Sequence, residues 1–243
     1  MLRTILMLGA LAAVCPSLGA AQQLASEEDR RAALEFFRSG QAHMNSERFE
    51  QAAQEFTRAI QKDRLFTLAY YQLGQADMAL QRYTAAIRAY EGCIAAGETL
   101  FGLSQTDRFE VERARDDEIR ELRQSMQQMA LNGQQIRQVR AEQHLQELER
   151  QRSSLGGTFH PSAEVLLALG SARFRTGDRN GALANWLEAA TANPKLGEAH
   201  NNLAVVYMMN GQRQEAQRSV SLAEKAGFRV NPQLKQDIDR LPK

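Results

Sequence analysis

The residues able to do chemistry in this 243-residue chain are few and widely scattered. His43, His144, His160 and His200 are far apart, and none has a Cys, Asp or second His at the spacing a metal site needs. His43 reads as a packing side chain in a helix. Asp116, Asp117 and Glu118 form an acidic run in a polar helical segment, the usual look of a solvated face. Gly156-Gly157 is followed by no Gly-Lys-Ser/Thr and preceded by no strand pattern, so it is not a phosphate loop. No Ser/His/Asp arrangement can be assembled. The two cysteines are Cys15 and Cys93. With Cys15 in an N-terminal segment expected to be removed, no intramolecular disulfide is available to Cys93, which reads as a small buried apolar residue. These residues predict no catalysis, no metal and no cofactor.

Charge narrows the partner classes. Thirty Lys and Arg stand against 29 Asp and Glu, interspersed along the chain. No one-sided basic face appears of the kind that phosphate neutralisation requires, so nucleic acid is not an expected partner.

The stronger signal lies in residue size. Gly40 is followed 34 residues later by Gly74, and Gly170 by Ala204 at the same interval. Downstream of each, at matched offsets, stand Ala52, Ala86, Ala182 and Ala216; then Phe56, Tyr90, Trp186 and Val220; then Ala59, Cys93, Ala189 and Ala223. Closely crossing helices need small side chains at the crossing. Glycine inside a helix costs about 1 kcal/mol against alanine, so its repetition at one register argues for tight packing. The large residues Phe36, Tyr70, Leu166, Phe56, Tyr90 and Trp186 are then expected to fill the space between units. Breaks fall at Asn45-Ser46-Glu47, Leu80-Gln81-Arg82, Thr176-Gly177-Asp178 and Asn210-Gly211-Gln212, and Asn193-Pro194 closes the third unit.

This period and size code resemble the tetratricopeptide repeat, two antiparallel helices per unit. The likeness is fullest over Ala163–Lys195 and Gly197–Gly227. It is thinner where Ser39 and Arg64 stand in place of the usual Leu and Pro, and where Ala204 replaces Gly. The resemblance implies an all-α helical-hairpin solenoid with repeats one and two at 22–98 and repeats three and four at 162–243, the latter ending in a capping helix. It also implies a concave groove lined by first helices. That groove would present Phe37, Gln41 and Met44, then Tyr71, Gln75 and Met78, then Leu167, Ser171 and Phe174, then Asn201, Val205 and Met208. Met44, Met78, Phe174 and Met208 share one register, and flexible thioethers suit adaptable binding of a peptide or helix. Members that grip a C-terminal carboxylate use a Lys/Asn/Arg set; Phe37 and Gln41 stand at two of those positions, with Asn202 alone fitting. The implied function is a non-catalytic adaptor for a protein or peptide partner.

Residues 99–161 interrupt the array as a helical insertion rich in Gln, Arg and Glu. Ile119, Leu122, Met126 and Met129 form a short heptad-like seam, continued by Ile136, Val139, Leu145 and Leu148 after a change of phase at Asn132-Gly133. Charged pairs such as Asp116 with Arg120 and Glu147 with Arg150 support exposed helix. Asn132-Gly133 reads as the tip of a helical hairpin or as a weak point in one long helix. The Ser153–His160 stretch reads as a flexible return. A seam that joined chains would make the protein an oligomerising envelope scaffold instead, so a homo-oligomer through the insertion is the alternative expectation.

Met1–Ala21 differs from everything after it. Arg3 precedes an apolar run, Ile5–Val14, that is too short to span a membrane, and Gly19-Ala20-Ala21 supplies small residues for cleavage. The segment is expected to be a cleaved secretory signal, with an uncleaved anchor or a lipoprotein signal at Cys15 as alternatives; Val14 is bulky for the latter. The expected location is periplasmic or secreted, in a bacterial envelope, with no stable membrane span after cleavage.

Overall fold

The computed structural model describes residues 24–104, 108–131, 135–153 and 159–242. The Met1–Ala21 segment read as a signal, Asn132-Gly133 and Gly156-Gly157 lie outside the described residues, as do the side chains of Ile136, Glu147 and Arg150.

Among the described residues all regular structure is helical. The first two repeats are α1 (Glu27–Asn45) with α2 (Phe49–Lys62), and α3 (Thr67–Ala79) with α4 (Tyr83–Ser104). The insertion supplies α5 (Arg108–Leu131) and α6 (Gln135–Ser153). Repeats three and four are α7 (Ala163–Arg175) with α8 (Arg179–Ala192), and α9 (Gly197–Met209) with α10 (Arg213–Lys225); α11 (Pro232–Asp239) follows. No helix among the described residues is long and apolar enough to cross a membrane.

The helix-to-helix turns share one backbone solution. Glu47, Gln81, Gly177 and Gly211, at matched positions in the four repeats, all have positive φ (56°, 59°, 89° and 73°). Glycine takes that conformation without steric cost, so repeats three and four have the better turn residue. Helix starts are capped unevenly. Ser26, Ser162, Asp178 and Asn231 each accept a backbone N–H of their own first turn. Phe66, ahead of α3, has no side chain that can.

The recurring glycines are crossing points. A Cβ on Gly40 would lie 2.6 Å from Phe56, on Gly74 2.4 Å from Tyr90, and on Gly170 2.6 Å from Trp186. Each glycine thus faces the aromatic of its own repeat's second helix. The fourth repeat has Ala204 opposite Val220, and both are buried in one cluster. The added methyl is matched by a smaller partner, which is why the departure at Ala204 keeps the packing. Phe56, Tyr90, Trp186 and Leu166 are buried, while Phe36 and Tyr70 are only half-buried.

In space the repeats run on without a gap. Tyr90 and Cys93 of α4 share a buried cluster with Val165, Leu169 and Ala172 of α7, and Arg173 reaches Glu91 at 2.8 Å. Repeat two therefore stacks directly on repeat three, and the insertion loops out between them. Ile238 of α11, with Val230, covers the apolar side of α9 and α10.

Candidate functional site

The expected groove face is lined by α1, α3 and α7, with Glu198 at the start of α9, and over the first two repeats it is occupied. Helix α5 lies across α1 and α3, with α6 alongside, tied to α5 by Arg123 and Glu149 at 2.7 Å. Ile119 and Leu122 are buried in one cluster with Phe37, Phe56 and Leu68, joined by Ala141 and Leu148 of α6. The seam thus pairs α5 with α6, as expected of a hairpin, and the same apolar face also packs on the chain's own repeats.

Polar ties fix the register. Arg38 of α1 grips Glu121 through two hydrogen bonds, Nε donating at 3.0 Å and Nη2 to the other carboxylate oxygen. One turn along, Gln41 Nε2 donates to Ser125 Oγ at 3.0 Å. Glu118 meets the start of α3: the Thr67 N–H donates to Oε1 at 3.0 Å and the hydroxyl at 3.1 Å. The insertion therefore caps the helix that Phe66 cannot cap, placing a carboxylate at the positive end of the α3 dipole. Burial raises the Glu118 carboxyl to about 7, with nearby Asp63 adding in the same direction; the Thr67 bonds and Arg115 pull the other way. Tyr71 of α3 stacks on His144 of α6, ring centroids 5.7 Å apart and planes within 9°.

A cavity of about 340 Å³ remains between insertion and groove. Gln41, Met44, Tyr71, Gln75 and Met78 line it, facing Leu122, Ser125, Met129, Ala141 and His144. A smaller cavity of about 170 Å³ continues towards repeat three, where Tyr71, Gln75 and Met78 meet Leu167 and Ser171, with Gln143 of α6 at its edge.

The groove residues expected from sequence thus divide. Gln41, Met44, Tyr71, Gln75, Met78, Leu167 and Ser171 converge on these two cavities. Phe37 is fully buried against Phe56 and Phe66, behind the face rather than on it. Phe174 packs on Trp186 at 5.6 Å. Asn201 and Val205 are half-buried on α9, away from both cavities, and Met208 packs against the cluster around Ala204 and Val220. Sequence reasoning missed Leu68, Gln72 and the whole insertion side of the site. The signal was present, since Ile119, Leu122, Ser125 and Met129 lie three and four apart on one face of α5, with Glu118 four residues before Leu122.

Among the described residues no three His, Cys, Asp or Glu side chains are grouped to hold a metal. His200 contacts the Pro194 carbonyl at 3.0 Å. Cys93 is buried, and desolvation pushes its thiol far above the ordinary range, which disfavours the thiolate that reactive cysteines need.

The tetratricopeptide repeat family profile matches residues 37–99 and 167–223, the two flanks of the insertion. Among solved structures the chain resembles MamA, with 15% identity over 80% of this chain and 78% of that one and a TM-score of 0.52. It also resembles YrrB, described as a TPR protein with an unusual peptide-binding site (17% identity, 88% and 95% covered, TM-score 0.32). A thermophilic TPR protein of Thermus thermophilus is similar too (17%, 86% and 97%, TM-score 0.36). At these identities the likeness is one of fold, and only the first superposition is close enough to support that. No curated protein matches the chain.

Proposed function

We propose that this chain, which carries tetratricopeptide repeats on both sides of its insertion, is a non-catalytic adaptor that binds a peptide or helix of a protein partner in its concave groove. Such repeats are protein-interaction modules, stacking into solenoids whose output is a surface. The observation that carries the reading is that the groove already receives a helix. Aliphatic side chains of α5 enter it while Arg38, Gln41 and the start of α3 meet its polar groups. The remaining groove surface, from Met78 through Leu167 and Ser171, is again apolar with amide groups, and adds the carboxyls of Glu164 and Glu198. We place the mature protein in the cell envelope because of the signal-like Met1–Ala21 segment.

Partner capture by the mature chain from its own envelope fraction tests this. Tyr71→Ala with Met78→Ala should weaken capture at least about tenfold, a change of about 1.4 kcal/mol, because both side chains line the two cavities and an aromatic anchor dominates interface energetics. Undiminished capture by a folded double mutant would sink the groove reading.

A second reading, an oligomerising scaffold, draws on Leu131 and Val139, which stand exposed on the insertion. Light scattering that shows a dimer, abolished by Leu131→Lys with Val139→Lys, would favour it. The burial of Ile119 and Leu122 within the chain favours the adaptor.

A further inference from the structure

We infer that α5 is a built-in occupant of the groove of repeats one and two, and that the partner of this groove is an amphipathic helix reproducing the α5 face and displacing it. The inference rests on the groove reading and adds to it the chemistry of the partner and the regulation of the site.

The docked face of α5 specifies what the groove takes. A carboxylate at the position of Glu118 reaches the uncapped start of α3, whose first N–H groups have no partner within their own helix. A second carboxylate three residues on, at the position of Glu121, forks onto Arg38. A small hydroxyl at the position of Ser125 takes the Gln41 amide. Between these, apolar side chains enter at the positions of Ile119, Leu122 and Met129. Two acids one turn apart on the edge of an aliphatic stripe is a specific requirement, and Arg38 and the α3 terminus together impose it.

The seat is built to be left. Glu118 and Glu121 are buried carboxylates, and desolvating them offsets much of what their partners return. The cavity of about 340 Å³ beside Leu122 and Met129, walled by apolar side chains together with amides such as Gln41, Gln72 and Gln75, is space that α5 does not fill, forfeiting the contacts close packing would supply. A helix with larger side chains at those two positions would fill it. The contacts that α5 does make are helped by the covalent tether, which gives α5 a high effective concentration at the groove. A free partner must exceed that advantage through better fit, so the insertion sets a threshold on binding.

The test uses the full mature chain and a labelled synthetic peptide covering 115–131 with phenylalanine at the positions of Leu122 and Met129. Fluorescence anisotropy should show binding to the intact chain, and at least tenfold tighter binding to a Leu122→Asp chain, whose own α5 no longer docks. A gentler variant, Glu121→Arg, keeps Arg38 free for the peptide's acid and should move affinity in the same direction. A peptide with arginine at the position of Glu121 should bind every form more weakly. On the intact chain, peptide should accelerate amide exchange in α5, the signature of displacement. Equal affinity for intact, Leu122→Asp and Glu121→Arg chains, with α5 protection unchanged, overturns the inference and leaves the groove reading standing. Binding to none of the folded forms overturns the groove reading itself, and the inference with it.

Discussion

Glu118 is the side chain whose environment departs furthest from what its sequence neighbours suggest. Read in the run Asp116-Asp117-Glu118 it looks solvated, yet it is buried against Thr67, with Asp63, Arg115 and Cys93 as its nearby titratable groups. Its carboxyl is raised from 4.5 to about 7, so the folded chain holds the proton more tightly than the unfolded one. The stability this contributes is fully present below about pH 4.5 and is lost as pH rises through about 7. The denaturation midpoint should therefore fall between about pH 5 and about pH 8, and Glu118→Gln should flatten that slope, since a neutral amide oxygen can still accept from Thr67. An unaltered slope in the variant would show that Glu118 does not titrate there. Gly170 gives a second residue-scale prediction. Its missing Cβ leaves room for Trp186, which donates from Nε1 to the Leu167 carbonyl at 3.1 Å. Gly170→Leu should overpack this crossing and cost about 1–3 kcal/mol or more in chemical denaturation.

At the scale of elements, α5 behaves as a ligand held by its own chain. The Arg38–Glu121 pair joins a side chain about half exposed to one that is 3% exposed. Arg38→Ala would leave the Glu121 carboxylate buried without its fork, at a cost of about 1–3 kcal/mol. Because that cost belongs to docking, it should appear as faster amide exchange in α5 with little change in α7–α10. Uniform loss of protection along the chain would mean instead that α5 and the solenoid unfold as one unit. The α1–α2 and α3–α4 turns, with Glu47 and Gln81 at positive φ, are the less relaxed half of the array, whereas Gly177 and Gly211 suit theirs. The insertion braces that half.

For the whole molecule, the continuity of α4 with α7 makes one solenoid with a helical pair folded back onto it. The seam is spent internally, so the mature chain should be monomeric by light scattering at micromolar concentration. Deleting Gln105–Ser153 should promote association, because it uncovers the cluster that Ile119 and Leu122 share with Phe56 and Leu68. A deletion product that stays monomeric and fully folded would mean that the insertion covers nothing the solenoid needs buried. N-terminal sequencing of the native protein should begin at Ala21 or Gln22, where the small residues place cleavage; Met1 on the mature protein would refute export by a cleaved signal.

The repeats were legible in the amino-acid sequence because their information is local and periodic. A glycine at 40, 74 and 170, an aromatic at 56, 90 and 186, and a turn at 47, 81, 177 and 211 specify helix pairs whatever lies beyond them. Part of the candidate groove was implied by the resemblance to the repeat family, whose register puts Gln41, Met44, Tyr71, Gln75 and Met78 where they line one cavity. The seam of α5 was equally legible as an apolar face, but periodicity says only that a face is buried and nothing of what buries it. A hairpin, a second chain and the chain's own groove all satisfy the same spacing. Only the tertiary structure shows that the hairpin and the groove are both used, α5 pairing with α6 while contacts join Arg38 to Glu121 and Thr67 to Glu118 across long stretches of chain. Such pairings depend on shape and charge complementarity between surfaces that exist only once both have folded.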